Sequence, residues 1–204
     1  MPAPVLEVNP RAPEASLIAR AVTVLRGGGL VAFPTETFYG LGAAALNAAA
    51  TRRLLQAKGR PEGKPILVLV DGVAMVERIT VTISAEARRL MARHWPGALT
   101  LVLKAATGLP DEITAGTGTI GVRLSPHPVA LALVRELGEP VTAPSANRSG
   151  APPPTTAAAV LAGIGDGLDL VLDGGATSGG EPSTVLDVTT DPPRVLRAGA
   201  VHLD

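Results

Sequence analysis

Apolar residues recur at helical spacing over residues 15–25, where Leu17, Ile18, Ala21, Val22 and Leu25 share one face. The run Gly27-Gly28-Gly29 stops that helix. A short apolar stretch, 30–33, then predicts a buried strand, and the alanine-rich segment 43–57 predicts a second helix. Further buried strands are expected at 65–70, 99–103, 119–124, 141–143, 168–172, 184–188 and 194–196. Between them lie helices at 84–94, with Ser84 as its cap, at 128–137, with Pro128 in its first turn, and at 155–164.

Helices interleaved with short apolar strands argue for an α/β sandwich built around one sheet. Adjacency rules prune the strand orders without choosing one. No internal repeat and no Pro/Ser-rich linker divides the chain, so a single domain over residues 1–204 is expected. The most flexible-looking stretch is GGATSGG, 174–180. It reads as a surface loop or as a loop that closes on a ligand.

Composition narrows the function classes. Aromatic residues are 2% of the chain against 46% hydrophobic residues, so the core is built from Ala, Val, Leu and Ile. Lys and Arg number 18, as do Asp and Glu. That balance argues against coating nucleic acid as the main task, because phosphate neutralisation dominates such binding. The chain has no cysteine, which removes disulfides, thiolate nucleophiles and cysteine zinc sites. His94, His127 and His202 show no metal-ligand spacing. The first residues carry Pro and charges without an apolar targeting core, and no run is long enough to span a membrane, so a cytoplasmic location is expected.

Two familiar phosphate motifs fail. The segment 59–65, GRPEGKP, is one residue short of a P-loop and has Pro where Ser or Thr would hold Mg²⁺. The segment 40–45, GLGAAA, lies too far from its strand for a dinucleotide fingerprint. No Ser-His-Asp arrangement or GxSxG elbow is present.

Three polar groups remain, each where a predicted element ends. The first, PTETFYGLG at 34–42, offers the hydroxyls of Thr35 and Thr37, with Gly40 and Gly42 for close backbone approach; a plain polar turn is the alternative. The second is the basic stretch 51–64. Arg52 and Arg53 suit a solvated helix end, whereas Lys58 and Arg60 are the better anion ligands. The third, APSANRSG at 143–150, sets Ser145 and Asn147 two apart, so an extended backbone points both the same way; Ser and Asn serving as turn caps is the alternative. Arg123 interrupts an apolar strand and needs a partner, either a ligand carboxylate or a structural acid. Arg197 follows the last strand and is either a phosphate contact or surface.

PTETFYGLG, KGRP, HWPGALTLVL, TIGVRL, APSANRSG, PSTVLDV and RVLRAG occur here in the order in which the YrdC family carries them, from about residue 30 to 199. The chain therefore resembles that family, and its Lys-x-Arg and Ser-x-Asn signature stands as Lys58, Arg60, Ser145 and Asn147. The resemblance implies an α/β fold: a twisted open sheet flanked by helices, with a central basic concave cavity. It implies a nucleotidyltransferase that makes L-threonylcarbamoyl-AMP from L-threonine, bicarbonate and ATP. A tRNA threonylcarbamoyl-transferase complex would then place the group beside the anticodon. By the same resemblance Thr35, Arg123 and Ser183 lie near threonine, and Lys58, Arg60, Thr119, Ser145, Asn147 and Arg197 near the nucleotide. Lys58, Arg60, Ser145 and Asn147 would carry the catalysis, with Ser145 and Asn147 orienting phosphate oxygens and Mg²⁺ arriving with ATP. Two departures stand out: the second C-terminal domain of some members is not expected here, and Phe38 replaces a smaller β-branched residue. The rival readings are an RNA-binding or ribosome-assembly module of the same fold, a carbamoyl-adenylate former using carbamoyl phosphate, and an inactive paralogue.

Overall fold

The computed structural model describes residues 3–59 and 65–203. Its first half runs β1 (Val5–Glu7), α1 (Ala15–Arg26), β2 (Val31–Pro34), β3 (Tyr39–Gly42), α2 (Ala48–Lys58), β4 (Leu67–Leu69), α3 (Val73–Ile79) and α4 (Ala85–His94). The second runs β5 (Leu99–Lys104), α5 (Asp111–Thr114), β6 (Thr119–Arg123), α6 (Pro128–Leu137), β7 (Val141–Thr142), α7 (Ala157–Ile164), β8 (Leu170–Asp173), β9 (Thr184–Asp187) and β10 (Arg194–Arg197). Among the described residues, no helix is long and apolar enough to cross a membrane.

Local chemistry accounts for the helix ends. Ser84 accepts from the Ala87 N–H and caps α4, and His127 accepts from Val129 N–H ahead of Pro128 in α6. Helix α1 buries Ile18, Ala21, Val22 and Leu25, the stripe its spacing predicts, against α6, β2 and β8.

The expected second helix is shorter than 43–57. Asn47 accepts from Ala49 and Ala50 N–H and starts α2 there. The alanines before it are engaged elsewhere: Ala43 O accepts from Thr142 N–H at 3.0 Å, and Ala45 N–H donates to Pro140 O at 3.0 Å. Strands β1 and β3 and helix α3 were not expected from the apolar pattern.

The expected single sheet is two hydrogen-bonded sheets, ordered β1-β8-β2-β3 and β10-β9-β5-β6-β4-β7. They meet along a seam between β3 and β7. Leu41 N–H donates to Pro144 O and Ala146 N–H to Tyr39 O, both at 2.8 Å. Beyond those bonds, at Ala43, the ladder is completed by a side chain. Buried Thr142 Oγ1 accepts from Ala43 N–H at 2.8 Å and donates to Leu41 O at 3.0 Å. A hydroxyl inserted where a strand partner would sit, beside a proline that cannot donate, interrupts the regular pairing. Helix α6 packs on β2 and β4, so it covers both sheets at once.

Candidate active site

Strand alternation builds the floor of a cavity of about 760 Å³, within the roughly 300–1,000 Å³ usual for small-molecule sites. Successive side chains point to opposite faces, so residues two apart share one. On β9 and just before it, Ser183, Val185 and Asp187 face the cavity; on β5, Thr100 and Val102; on β6, Thr119, Gly121 and Arg123. The register joins these into rows. Arg194, Asp187, Val102, Gly121 and Leu67 are successive cross-strand partners from β10 to β4. Four charged residues line the cavity among those described: Arg123, Arg194 and Arg197 against Asp187, so the floor is basic.

At one end Arg123 and Arg197 lie close enough for their charges to repel. Arg197 donates from Nε and one terminal nitrogen to Ser183 O, and from that nitrogen to Ser183 Oγ at 2.9 Å. Ser183 Oγ also lies 3.0 Å from Thr100 Oγ1. Burial, and after it the positive charge of Arg123, pushes the Arg197 guanidinium below its ordinary pKa. Two like charges held together in a cavity describe a place for an anion. Arg123 is ion-paired with Glu36 at 2.7 Å, and its buried Nε has no hydrogen-bond partner.

A second wall comes from the β2–β3 turn. Thr35 Oγ1 donates to Phe38 O at 2.7 Å and closes the turn, while Thr35, Thr37 and Phe38 line the cavity. Of the two glycines expected to admit a ligand, Gly40 lines the cavity. Gly42 instead makes room for the protein: a Cβ there would lie 2.9 Å from the Phe33 ring and 3.1 Å from Val141. The 174–180 loop rests on this turn. Ser178 Oγ donates to Glu36 O at 2.5 Å and Gly179 N–H to Thr37 O at 2.8 Å. Buried Tyr39 holds the loop's start through a 2.7 Å bond to Gly175 O.

The signature residues gather at the third wall. Lys58 lies on the buried stripe of α2, four residues beyond Leu54 and eight beyond Ala50, so helical spacing carries its ammonium inward. Its Nζ donates to Ser145 O and, at 2.7 Å, to Asn147 O. Ser145 forms a bridge with Gly40, and both Ser145 and Asn147 line the cavity, as their two-residue spacing predicts. Asn147 Nδ2 donates to Arg148 O at 2.9 Å and to Ala151 O at 2.6 Å, leaving the buried Oδ1 without a partner. Both of its amide donors are thus engaged by loop carbonyls. Arg60 lies outside the described residues. Arg52 and Arg53, read as a solvated helix end, instead lie within α2 and pair with Glu112 and Asp169.

Sequence reasoning missed Glu36, Ser125 and Asp187. Asp187 had a signal, its place four residues after Ser183, two periods along the same strand face; Glu36 had none beyond its place in a polar turn. Among the described residues no three His, Asp or Glu side chains form a metal-binding group.

The Sua5/YciO/YrdC family model, described as "Telomere recombination", matches residues 23–199. Threonylcarbamoyl-AMP synthase of Bacillus subtilis is 45% identical over 90% of this chain, which spans 54% of that relative. The chain thus covers about half the length of the first relatives it matches. The synthase of Thiobacillus denitrificans is 41% identical over 85% of this chain and 91% of its own length. Among solved structures, Sua5 of Pyrococcus abyssi complexed with L-threonine superposes with a TM-score of 0.92 at 42% identity, over 96% of this chain and 57% of that one.

Proposed function

Because the chain belongs to the Sua5/YciO/YrdC family, we propose that this cavity makes L-threonylcarbamoyl-AMP from L-threonine, bicarbonate or CO₂, and ATP, releasing pyrophosphate. The observation that carries the reading is one cavity lined both by the two arginines Arg123 and Arg197 and by the signature residues Ser145 and Asn147. Arg123 and Arg197 line it together with Thr35 and Ser183, and the Lys58-held loop of Ser145 and Asn147 forms another wall. The names of the relatives and the threonine bound by the Pyrococcus protein support the same substrates.

In this reaction the threonine amine attacks CO₂ and loses a proton, giving N-carboxythreonine. The new carboxylate attacks the α-phosphorus of ATP, and the bond to the β,γ-diphosphate breaks with its electron pair leaving on pyrophosphate. Such a step asks for positioning and charge stabilisation more than for a protein nucleophile. Arg123 binds the threonine α-carboxylate, since a guanidinium fork matches two oxygens. Thr35 and Ser183 border the amino acid. The Ser145 hydroxyl and the Arg197 and Thr119 side chains border the nucleotide. Lys58 fixes the Ser145–Asn147 backbone and brings a positive charge beneath it. Mg²⁺ would be held mainly by the triphosphate, with Asp187 as the carboxylate of the described cavity floor able to bind its waters, and would supply neutralisation of phosphate charge. The product then passes to a tRNA threonylcarbamoyl-transferase system.

The test is pyrophosphate release from Mg-ATP by purified protein, with and without L-threonine and bicarbonate. Release that needs both is the expected result. Folded protein that binds ATP yet releases none above background would overturn the reading.

A further inference from the structure

Glu36 follows Thr35 directly but does not line the cavity; it stands behind the floor. Both of its carboxylate oxygens are used. Oε1 accepts from an Arg123 terminal nitrogen at 2.7 Å, and Oε2 accepts from Ser125 Oγ at 2.5 Å. Ser125 Oγ in turn accepts from His127 N–H at 3.2 Å, so the carboxylate is tied to the start of α6. The Glu36 backbone carbonyl holds Ser178 of the glycine-rich loop.

We propose that Glu36 is a positioning residue for the amino-acid half of the site, pinning Arg123 from behind so that the rest of the guanidinium meets the substrate α-carboxylate. The inference rests on the threonine-binding reading above. A merely structural ion pair satisfies both partners, whereas here Glu36 is saturated and the Arg123 Nε is left without one. The Arg123 side chain is only 4% exposed, so a bond left unmade there is costly, and the part of it that lines the cavity is what a ligand meets. Charge gives the same answer. Arg123 and Arg197 against Glu36 leave one net positive charge at this end, which one carboxylate neutralises. Without Glu36 the long arginine side chain is free to swing across the cavity toward other acceptors.

The experiment measures L-threonine binding by calorimetry, and KM and kcat for threonine and ATP, in wild type, Glu36→Ala and Glu36→Gln. Glu36→Ala is expected to weaken threonine binding and raise its KM by about 10–100-fold, the worth of a charge-assisted hydrogen bond to substrate. The KM for ATP stays within about twofold, a split that separates ground-state binding of one substrate from general damage. Glu36→Gln recovers most of the loss, because an amide oxygen still accepts from Arg123. Should Glu36→Ala fail to fold, Ser125→Ala decides, with a smaller loss confined to threonine expected. Unchanged threonine affinity in the folded variant, or threonine and ATP weakened together, overturns the inference alone. Wild-type protein that binds no L-threonine overturns the synthase reading and this inference with it.

Discussion

Individual residues here do more than one job, and the hydrogen bonds show which. Lys58 is a lysine on an apolar helix stripe, buried and bonded to two carbonyls of the signature loop. Lys58→Ala removes both a charge and the strut of that loop. Turnover is expected to fall by about 10²–10³-fold, the usual cost of losing one electrostatic donor. The check is pyrophosphate release alongside circular dichroism; a folded variant with wild-type turnover would remove Lys58 from the mechanism. His127 supplies a pH prediction. Burial pushes its pKa below the ordinary value, with Glu36 opposing, while its Nδ1 accepts from Val129 N–H. As pH falls, the unfolded chain therefore takes up this proton before the folded one does. The contribution of His127 to stability is whole above its unfolded pKa of about 6.5 and is lost as pH drops through the lower folded value. Urea melts at about pH 7.5 and about pH 5.5 should show that loss in wild type, and a smaller one in His127→Asn, which keeps a capping side chain.

At the scale of elements, legibility tracked the range of the interactions. Helix α6 was readable to its ends, because Pro128, the apolar stripe and Gly138 are all local signals. Strands β5, β6 and β9 were readable too, and their two-residue period already places Thr119 with Arg123 and Ser183 with Asp187 on shared faces. The segment 43–47 was misjudged as helix. Alanine favours helices, but Ala43 and Ala45 pair with residues about a hundred positions away, and nothing nearby announces that. The β2–β3 turn was recognised as polar and chemically rich, while its hairpin was hidden by Gly40 and Gly42, whose second strand is as much glycine as side chain. Glu36 marks the limit: its partner Arg123 lies 87 residues on, and only the fold brings them together.

For the whole molecule, the seam between the two sheets matters most, because it joins the sheet whose β2–β3 turn carries Thr35 to the sheet whose strands carry Arg123 and Arg197. Thr142 is the side chain that completes it. Thr142→Val keeps the shape and strands one buried N–H and one buried carbonyl. At about 1–3 kcal/mol for each unsatisfied group, a loss of about 2–6 kcal/mol is expected in chemical denaturation. Thr142→Ser, which restores the hydroxyl, should recover most of it. A Thr142→Val protein as stable as wild type would show that the sheets do not depend on this bridge.

The cavity floor carries its chemistry on every second residue of several strands. Substitution can tune such a floor one side chain at a time, but a single-codon deletion between Thr119 and Arg123 in β6 would put those two side chains on opposite faces. Lineages of this fold should therefore diverge inside these strands by exchange of letters, and gain or lose length only in the loops between them.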